Sequence, residues 1–314
     1  MKKAFLFPGQ GSQGSGMGLD IFENFPEAQE LFDRFDSVFG QKISSYCFSY
    51  ENHFLQRTEI AQPCILAVSL AILSVLDKKG IKADYLAGHS LGEYTALVHG
   101  GVLTFESALN LVKIRSTLMA KAGEKYSGTM AAVIGMSKHD LERACNEFSE
   151  DDEVVIANYN APEQLVVSGT VSGVEKFSHL LREKGKKVIP LNVSGAFHSH
   201  LMTPALRELT DAIEDTEFFD AQIPIVTNID NTITFEGKKF KEKLKWQLIS
   251  PVLWEDSIKS ILSRNINVFI EVGAKKTLTN LNKRIDSNII SLNVEDTPSL
   301  DKLEEFLDKP YILF

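Results

Sequence analysis

The stretch YLAGHSLGEYTALVHGG, residues 85–101, decides how the chain folds. Together with the preceding IKAD, its opening residues read as a short strand over 81–88 that stops at Gly88. From Glu93 onward, EYTALVHGG suits a short helix ended by Gly100-Gly101. Gly88, Ser90 and Gly92 therefore occupy a strand-to-helix turn of the pattern Gly-x-Ser-x-Gly. Such a turn holds a serine hydroxyl out at the strand's carboxyl end, and the flanking glycines let the backbone take a strained bend. The helix start then aims N–H groups at charge developing beside the serine. A plain glycine-rich connection between strand and helix satisfies the same five residues.

Upstream, KAFLF (3–7) reads as a buried strand that enters the glycine-rich loop FPGQGSQGSGMG (7–18). This loop lacks the Gly-x-x-x-x-Gly-Lys-Ser/Thr phosphate pattern. It contains Gly9-x-Gly11-x-x-Gly14, but the acidic partner of a dinucleotide site would fall at Asp33 or Asp36, inside a helical pattern. A loop of this kind also suits an oxyanion hole, lending it a backbone N–H. Helical spacing covers 26–39, 60–79 and 105–122, the last capped by Thr104.

The middle of the chain has its own rhythm. A strand (129–136), a helix capped by Ser137, two strands (153–160 and 163–169) joined around Ala161-Pro162, a helix (171–184) and a strand (186–193) follow in turn. The order β-α-β-β-α-β is the ferredoxin-like arrangement. Strand signals resume at IPIVTNI (223–229) and NVFIEVG (267–273), so residues 127–194 read as an insertion. The larger α/β domain is then discontinuous, 1–126 with 195–314.

Composition sets the outer bounds. The chain has 314 residues, 44% hydrophobic and 24% charged, with net charge −9, enough for a large core and without a basic nucleic-acid footprint. It shows no uninterrupted apolar run of about 18 residues, so no membrane span is expected. The opening MKKAFLFPGQGSQ has too short an apolar run for a signal peptide. Cys47, Cys64 and Cys145 are unclustered, which favours small buried hydrophobes in a reducing cytoplasm over disulfides or zinc. The tail LDKPYILF (307–314) suggests no role.

An activated serine needs a base, and VSGAFHSHLM (193–202) offers His198 and His200 in an irregular Gly/Ser-flanked segment. Two alternatives stand beside this: a structural histidine, or half of a zinc site whose third ligand the sequence does not nominate. Arg115 lies among apolar or small neighbours on the 105–122 helix. Composition favours an arginine that snorkels to water or pairs with a carboxylate.

FPGQGSQ, GHSLGEYTAL, RSTLM and SGAFHSHLM, in this order and at these separations, are far more specific together than singly. With WQLISPVLW (246–254) and VFIEVGAKKTLTNL (268–281), they give a chain that resembles the malonyl-CoA:acyl carrier protein transacylases of type II fatty acid synthesis. It is also similar to the acyltransferase domains of polyketide synthases. The resemblance implies an α/β-hydrolase-like core with a parallel sheet and the inserted ferredoxin-like subdomain. It implies Ser90 as nucleophile and His198 as base, with His200 supportive. The N–H groups of Gln10 and Leu91 would form the oxyanion hole, and Arg115 would bind the free carboxylate of the malonyl group. Met119 would sit near that site on the same helix. Gln247 would orient the histidine through its main-chain carbonyl, making a Ser–His dyad without a triad aspartate. Phe197 matches the malonyl-accepting version of its motif rather than the serine-containing methylmalonyl version. Gln62, Asn158 and Asn160 would line the pocket.

The implied reaction is ping-pong transfer of malonyl from malonyl-CoA to the phosphopantetheine thiol of acyl carrier protein, through malonyl-Ser90, in fatty acid biosynthesis. No bound cofactor or metal is expected, and neither nucleic acid nor membrane is an expected partner. A cytoplasmic monomer is the expectation. The carrier is acidic and so is this chain, so a local basic face must dock it. Candidates are 237–245, Lys184 with Lys186 and Lys187, and Lys275-Lys276. Three rivals are weighed: a serine hydrolase using water, an acyltransferase loading a polyketide assembly line, and a non-catalytic carrier-binding module. Arg115, the GQGSQ loop and the insertion argue against the hydrolase, and the intact Ser90, His198 and Arg115 against the binding module.

Overall fold

The computed structural model describes residues 1–50, 53–148 and 153–309; the last five residues of the tail, 310–314, lie outside. Its strands are β1 (Lys3–Phe7), β2 (Tyr85–Gly88), β3 (Gly128–Ile134), β4 (Val154–Ala161) and β5 (Gln164–Thr170), then β6 (Lys187–Pro190), β7 (Ile225–Val226), β8 (Ile233–Thr234), β9 (Val268–Val272) and β10 (Ile290–Val294). They form a larger sheet of order β10-β9-β1-β2-β7-β8 and a smaller one of order β4-β5-β3-β6.

The larger sheet is parallel except where β8 pairs antiparallel with β7. Its central strands KAFLF and VFIEV are almost wholly buried, as apolar strands covered by helices on both faces must be. The register pairs Leu6 with Ala87 and Phe7 with Gly88. The loops that leave β1 and β2 therefore emerge side by side at the carboxyl edge, where open α/β sheets place their sites.

Two long helices pack on each other and bring Thr58 and Arg115 to these loops. Thr58–Lys78 is apolar nearly all round, which suits only a buried helix. Its length and hydropathy would allow a membrane crossing, but 89% of the relevant window is buried inside the protein. Phe105–Lys125 begins at Thr104, whose side chain accepts from the Ser107 N–H, and runs past the expected end at 122.

The smaller sheet is antiparallel throughout and carries helices Lys138–Asn146 and Val171–Glu183. Ser137 and Thr170 cap those helices by accepting from Asp140 and Gly173 N–H. Val133, Leu141, Val167, Phe177 and Leu181 pack the core between them. The α/β class with a small ferredoxin-like sheet is thus as the sequence predicts.

Several strand limits differ from expectation for local reasons. β2 starts at Tyr85 rather than 81; just before it Asp84 ties the chain to β1, its N–H donating to the Lys3 carbonyl and its carboxylate accepting from Lys3 N–H. β6 ends at Pro190, short of 193, because the chain turns there: Leu191 N–H still donates to the Met130 carbonyl, but its own carbonyl then accepts from Val193 N–H. The apolar run 223–229 yields only the two residues of β7, because the chain turns back at Thr227, whose N–H donates to the Thr232 carbonyl. A fifth parallel strand, β10, is half-buried; its residues ISLNV alternate apolar and polar, a strand signal that the expectations above do not include.

Candidate active site

The turn after β2 is built by steric necessity. Ser90 has φ of +53°, a left-handed conformation unusual outside glycine. A Cβ on Gly88 would lie 1.9 Å from the Gly92 carbonyl carbon, and one on Gly92 would lie 2.0 Å from the Phe7 carbonyl oxygen. Only glycine fits at either flank. Asn228, from the turn after β7, pins the elbow from outside: its Oδ1 accepts from Ser90 N–H at 2.7 Å and its Nδ2 donates to the Gly88 carbonyl at 2.6 Å.

His198 is brought to this serine from a segment 108 residues away, its Nε2 standing 2.8 Å from Ser90 Oγ. Its other nitrogen, Nδ1, lies 3.0 Å from the carbonyl oxygens of both Gln247 and Ser250. Carbonyls only accept, so Nδ1 carries the proton and Nε2 is left to accept from the serine hydroxyl. Carbonyls thus hold the place that an aspartate fills in a triad. Burial, then the positive Arg115 and the neighbouring His89, push the His198 imidazole down to about 3, so it is neutral in the resting site. His200 is not at the site: it is exposed, and its main-chain N–H donates to Glu153.

Arg115 overturns the compositional expectation. It is 1% exposed, and among the described residues it has no carboxylate partner. Nη1 donates to Gln62 Oε1 at 2.5 Å, and Nη2 donates to Ser90 Oγ at 3.0 Å and to Gln247 Oε1 at 3.1 Å. The guanidinium also lies 5.6 Å from the Tyr94 ring centroid, and Nε has no partner. A cation so buried is costly to hold on neutral dipoles alone, unless something else supplies an anion.

Gln247 joins these groups. Besides its two acceptor contacts, its Nε2 donates to the Ser90 carbonyl at 3.0 Å and to Glu93 Oε2 at 2.6 Å. Burial raises the Glu93 carboxyl to about 7, against the lowering effect of the Gln247 hydrogen bond.

A small cavity over Ser90 is lined by Gln10, Leu91, Arg115, Met119, Phe197 and His198, with Asn158, Met130, Leu191 and Val193 completing its walls. Neither Gln10 nor Leu91 N–H donates to a backbone carbonyl among the described residues. Gln62 and Asn160 stand behind the wall: Gln62 Nε2 touches Met119 Sδ at 3.2 Å, and Asn160 Oδ1 meets His89 Nε2 at 2.8 Å. Asn228 and the side chain of Gln247 are site groups whose roles no motif announces, and Glu93, though inside GHSLGEYTAL, is given no role there. Each is a lone polar residue whose signal is its burial, which only folding reveals.

The acyl transferase domain family matches the chain over residues 4–299. A malonyl CoA-acyl carrier protein transacylase of Bacillus subtilis (strain 168) is 41% identical over 302 residues, covering 96% of this chain and 95% of that protein. The crystal structure of a Streptococcus pneumoniae MCAT is similar at 39% identity and TM-score 0.91, covering 97% and 100%. A malonyl-transacylase solved in complex with its type II PKS acyl-carrier protein is similar at 35% identity and TM-score 0.94, covering 98% and 100%.

Proposed function

The chain belongs to the acyl transferase domain family, and on that premise we propose that it transfers malonyl from malonyl-CoA to the phosphopantetheine thiol of acyl carrier protein in fatty acid biosynthesis. One observation above all supports malonyl as the acyl group: a buried guanidinium without a carboxylate stands 3.0 Å from the serine hydroxyl. A carboxylate at the far end of the acyl group supplies the missing anion, whereas acetyl leaves the cation unpaired.

The chemistry is ping-pong. His198 Nε2 takes the Ser90 proton as Oγ bonds to the thioester carbonyl carbon. The tetrahedral oxyanion accepts from the N–H groups of Gln10 and Leu91, each worth about 3 kcal/mol in acyl transfer generally. As the C–S bond breaks, His198 returns the proton to the leaving CoA sulfur, and malonyl remains as an ester on Ser90. The carrier thiol then gives its proton to His198, attacks the ester carbon and leaves as malonyl thioester, with the proton returned to Ser90. CoA and phosphopantetheine belong to the substrates, and the chain's own side chains and main-chain N–H groups carry the steps. Phe197 lines the cavity beside His198, in keeping with the malonyl-accepting version of its motif.

The same proposal divides the chain into a catalytic unit, 1–126 with 195–314, and an inserted unit, 127–194, and places the reaction in the cytoplasm. Of the basic faces, the 237–245 helix is largely compensated: of its five lysines, Lys239, Lys241, Lys243 and Lys245 pair with Glu236, Glu214, Asp230 and Glu242. Lys276 pairs with Glu295. Lys184 precedes β6 and Lys187 opens it, and the continuation of that strand supplies Leu191 and Val193 to the cavity, so we place carrier docking there.

A transfer assay with holo carrier protein tests the substrate assignment. The protein should load malonyl and leave acetyl on CoA; equal transfer of both would overturn it.

A further inference from the structure

A chain of hydrogen bonds runs from Arg115 to Gln10 behind the cavity, and its direction is fixed at one end. A guanidinium only donates, so the Gln62 atom that meets Arg115 Nη1 must be Oε1. That leaves Gln62 Nε2 to donate to Thr58 Oγ1 at 2.8 Å. Thr58, having accepted there, donates its own O–H to Gln10 Oε1 at 2.7 Å. The far end of the Gln10 amide is then Nε2, which can only donate.

That donor is spare. Gln10 Nε2 is buried with no partner, and so is Arg115 Nε. Both residues line the cavity over Ser90, and Thr58, the link between them, is 0% exposed. Buried N–H groups are nearly always paired, and two unpaired donors around one cavity call for a ligand that only accepts. A carboxylate is such a ligand.

We propose that Thr58 is a positioning residue for substrate selection: it holds the Gln10 amide donor-first, so that the acyl carboxylate accepts from Gln10 Nε2 as well as from Arg115. This rests on the malonyl reading above. It adds a second donor to the anion site and ties the oxyanion-hole loop to the arginine through Gln62 and Thr58. Without the Thr58 hydroxyl, Gln10 has no acceptor-side anchor and its amide is free to turn its oxygen towards the carboxylate.

The test is the ratio of kcat/KM for malonyl-CoA to that for acetyl-CoA in Thr58→Val, Thr58→Ser and Gln10→Met. Gln10→Met keeps the main-chain N–H and removes only the side-chain amide. Thr58→Val should lower the ratio about tenfold, a normal size for losing a hydrogen bond to a charged group. Thr58→Ser should restore it, Gln10→Met should match the valine variant, and the double variant should show no further loss. A ratio unchanged in Thr58→Val, or equally low in Thr58→Ser, would overturn the proposal. If Thr58→Val fails to fold, Gln10→Met reads the same ratio, and an unchanged ratio there overturns it equally. Failure of the malonyl reading shows separately, as a wild-type protein with no malonyl preference.

Discussion

Ser90 Oγ accepts from Arg115 Nη2 at 3.0 Å while facing His198 Nε2 at 2.8 Å, so one oxygen is shared by the cation and the base. The nucleophile and the selector of the acyl group are thus in direct contact before any substrate arrives. A carboxylate entering the cavity competes with Ser90 for that N–H, which frees the serine oxygen as the correct substrate binds.

Arg115→Ala should therefore remove selection more than it removes chemistry. The expected result is a fall of about 100-fold or more in kcat/KM for malonyl-CoA, the size typical of losing one partner of a buried charge pair. Acetyl-CoA turnover should fall far less, and steady-state kinetics with both thioesters reads the difference. Equal losses would remove the carboxylate clamp from the account.

The histidine environment predicts an unusual pH profile. An ordinary imidazole protonates near 6.5, but burial and then Arg115 hold His198 at about 3, so it stays available as base well below pH 6. kcat/KM should hold its value down to about pH 5. In the loaded enzyme a substrate carboxylate offsets the Arg115 charge, so the acid limb of kcat should lie above that of kcat/KM. An acid limb near 6.5 in kcat/KM would contradict this.

Stability carries the same signs. Below 6.5 the unfolded chain binds the His198 proton that the native state refuses until about 3, so this group makes stability fall as pH falls through that window. Glu93 acts oppositely: native Glu93 holds its proton up to about 7 against an ordinary 4.5, so its contribution is lost as pH rises from 4.5 to 7. Glu93→Gln should therefore gain stability relative to wild type between pH 5 and 8, as read by urea unfolding. A constant difference would contradict the assignment.

Gly92→Ala tests the elbow. The added Cβ would meet the Phe7 carbonyl oxygen at 2.0 Å, pushing β1 away from the turn. A loss of about 3 kcal/mol in unfolding free energy is expected, together with loss of transfer activity. A variant with wild-type stability would show that the turn tolerates a side chain.

Charge reversal separates the docking faces. Lys184→Glu with Lys187→Glu should raise KM for carrier protein several-fold and leave KM for malonyl-CoA unchanged. Lys239→Glu with Lys241→Glu, in the compensated helix, should change neither. The opposite pattern would move docking to that helix.

What the sequence made legible was local. The elbow, the caps at Thr104 and Ser137 and the ferredoxin-like rhythm are all written in neighbouring residues, and each appears in the structure. Arg115 was misjudged by composition, because whether a helical arginine is exposed depends on what packs over it, here Tyr94, Gln62 and Gln247. Asn228 was not legible at all: it meets Ser90 across 138 residues, and a lone asparagine has no periodicity to betray it. The two-residue β7 shows the converse, an apolar run cut short by a turn chemistry that its hydrophobicity concealed.

The central claim is that Ser90 holds malonate between two thiols, and intact-protein mass spectrometry tests it most directly. Mixed with malonyl-CoA, the protein should gain one malonyl group on Ser90, and Ser90→Ala should gain none. Holo carrier protein added next should take that group, returning the enzyme to its original mass. Release as free malonate with no transfer, or an adduct that survives in Ser90→Ala, would contradict the account.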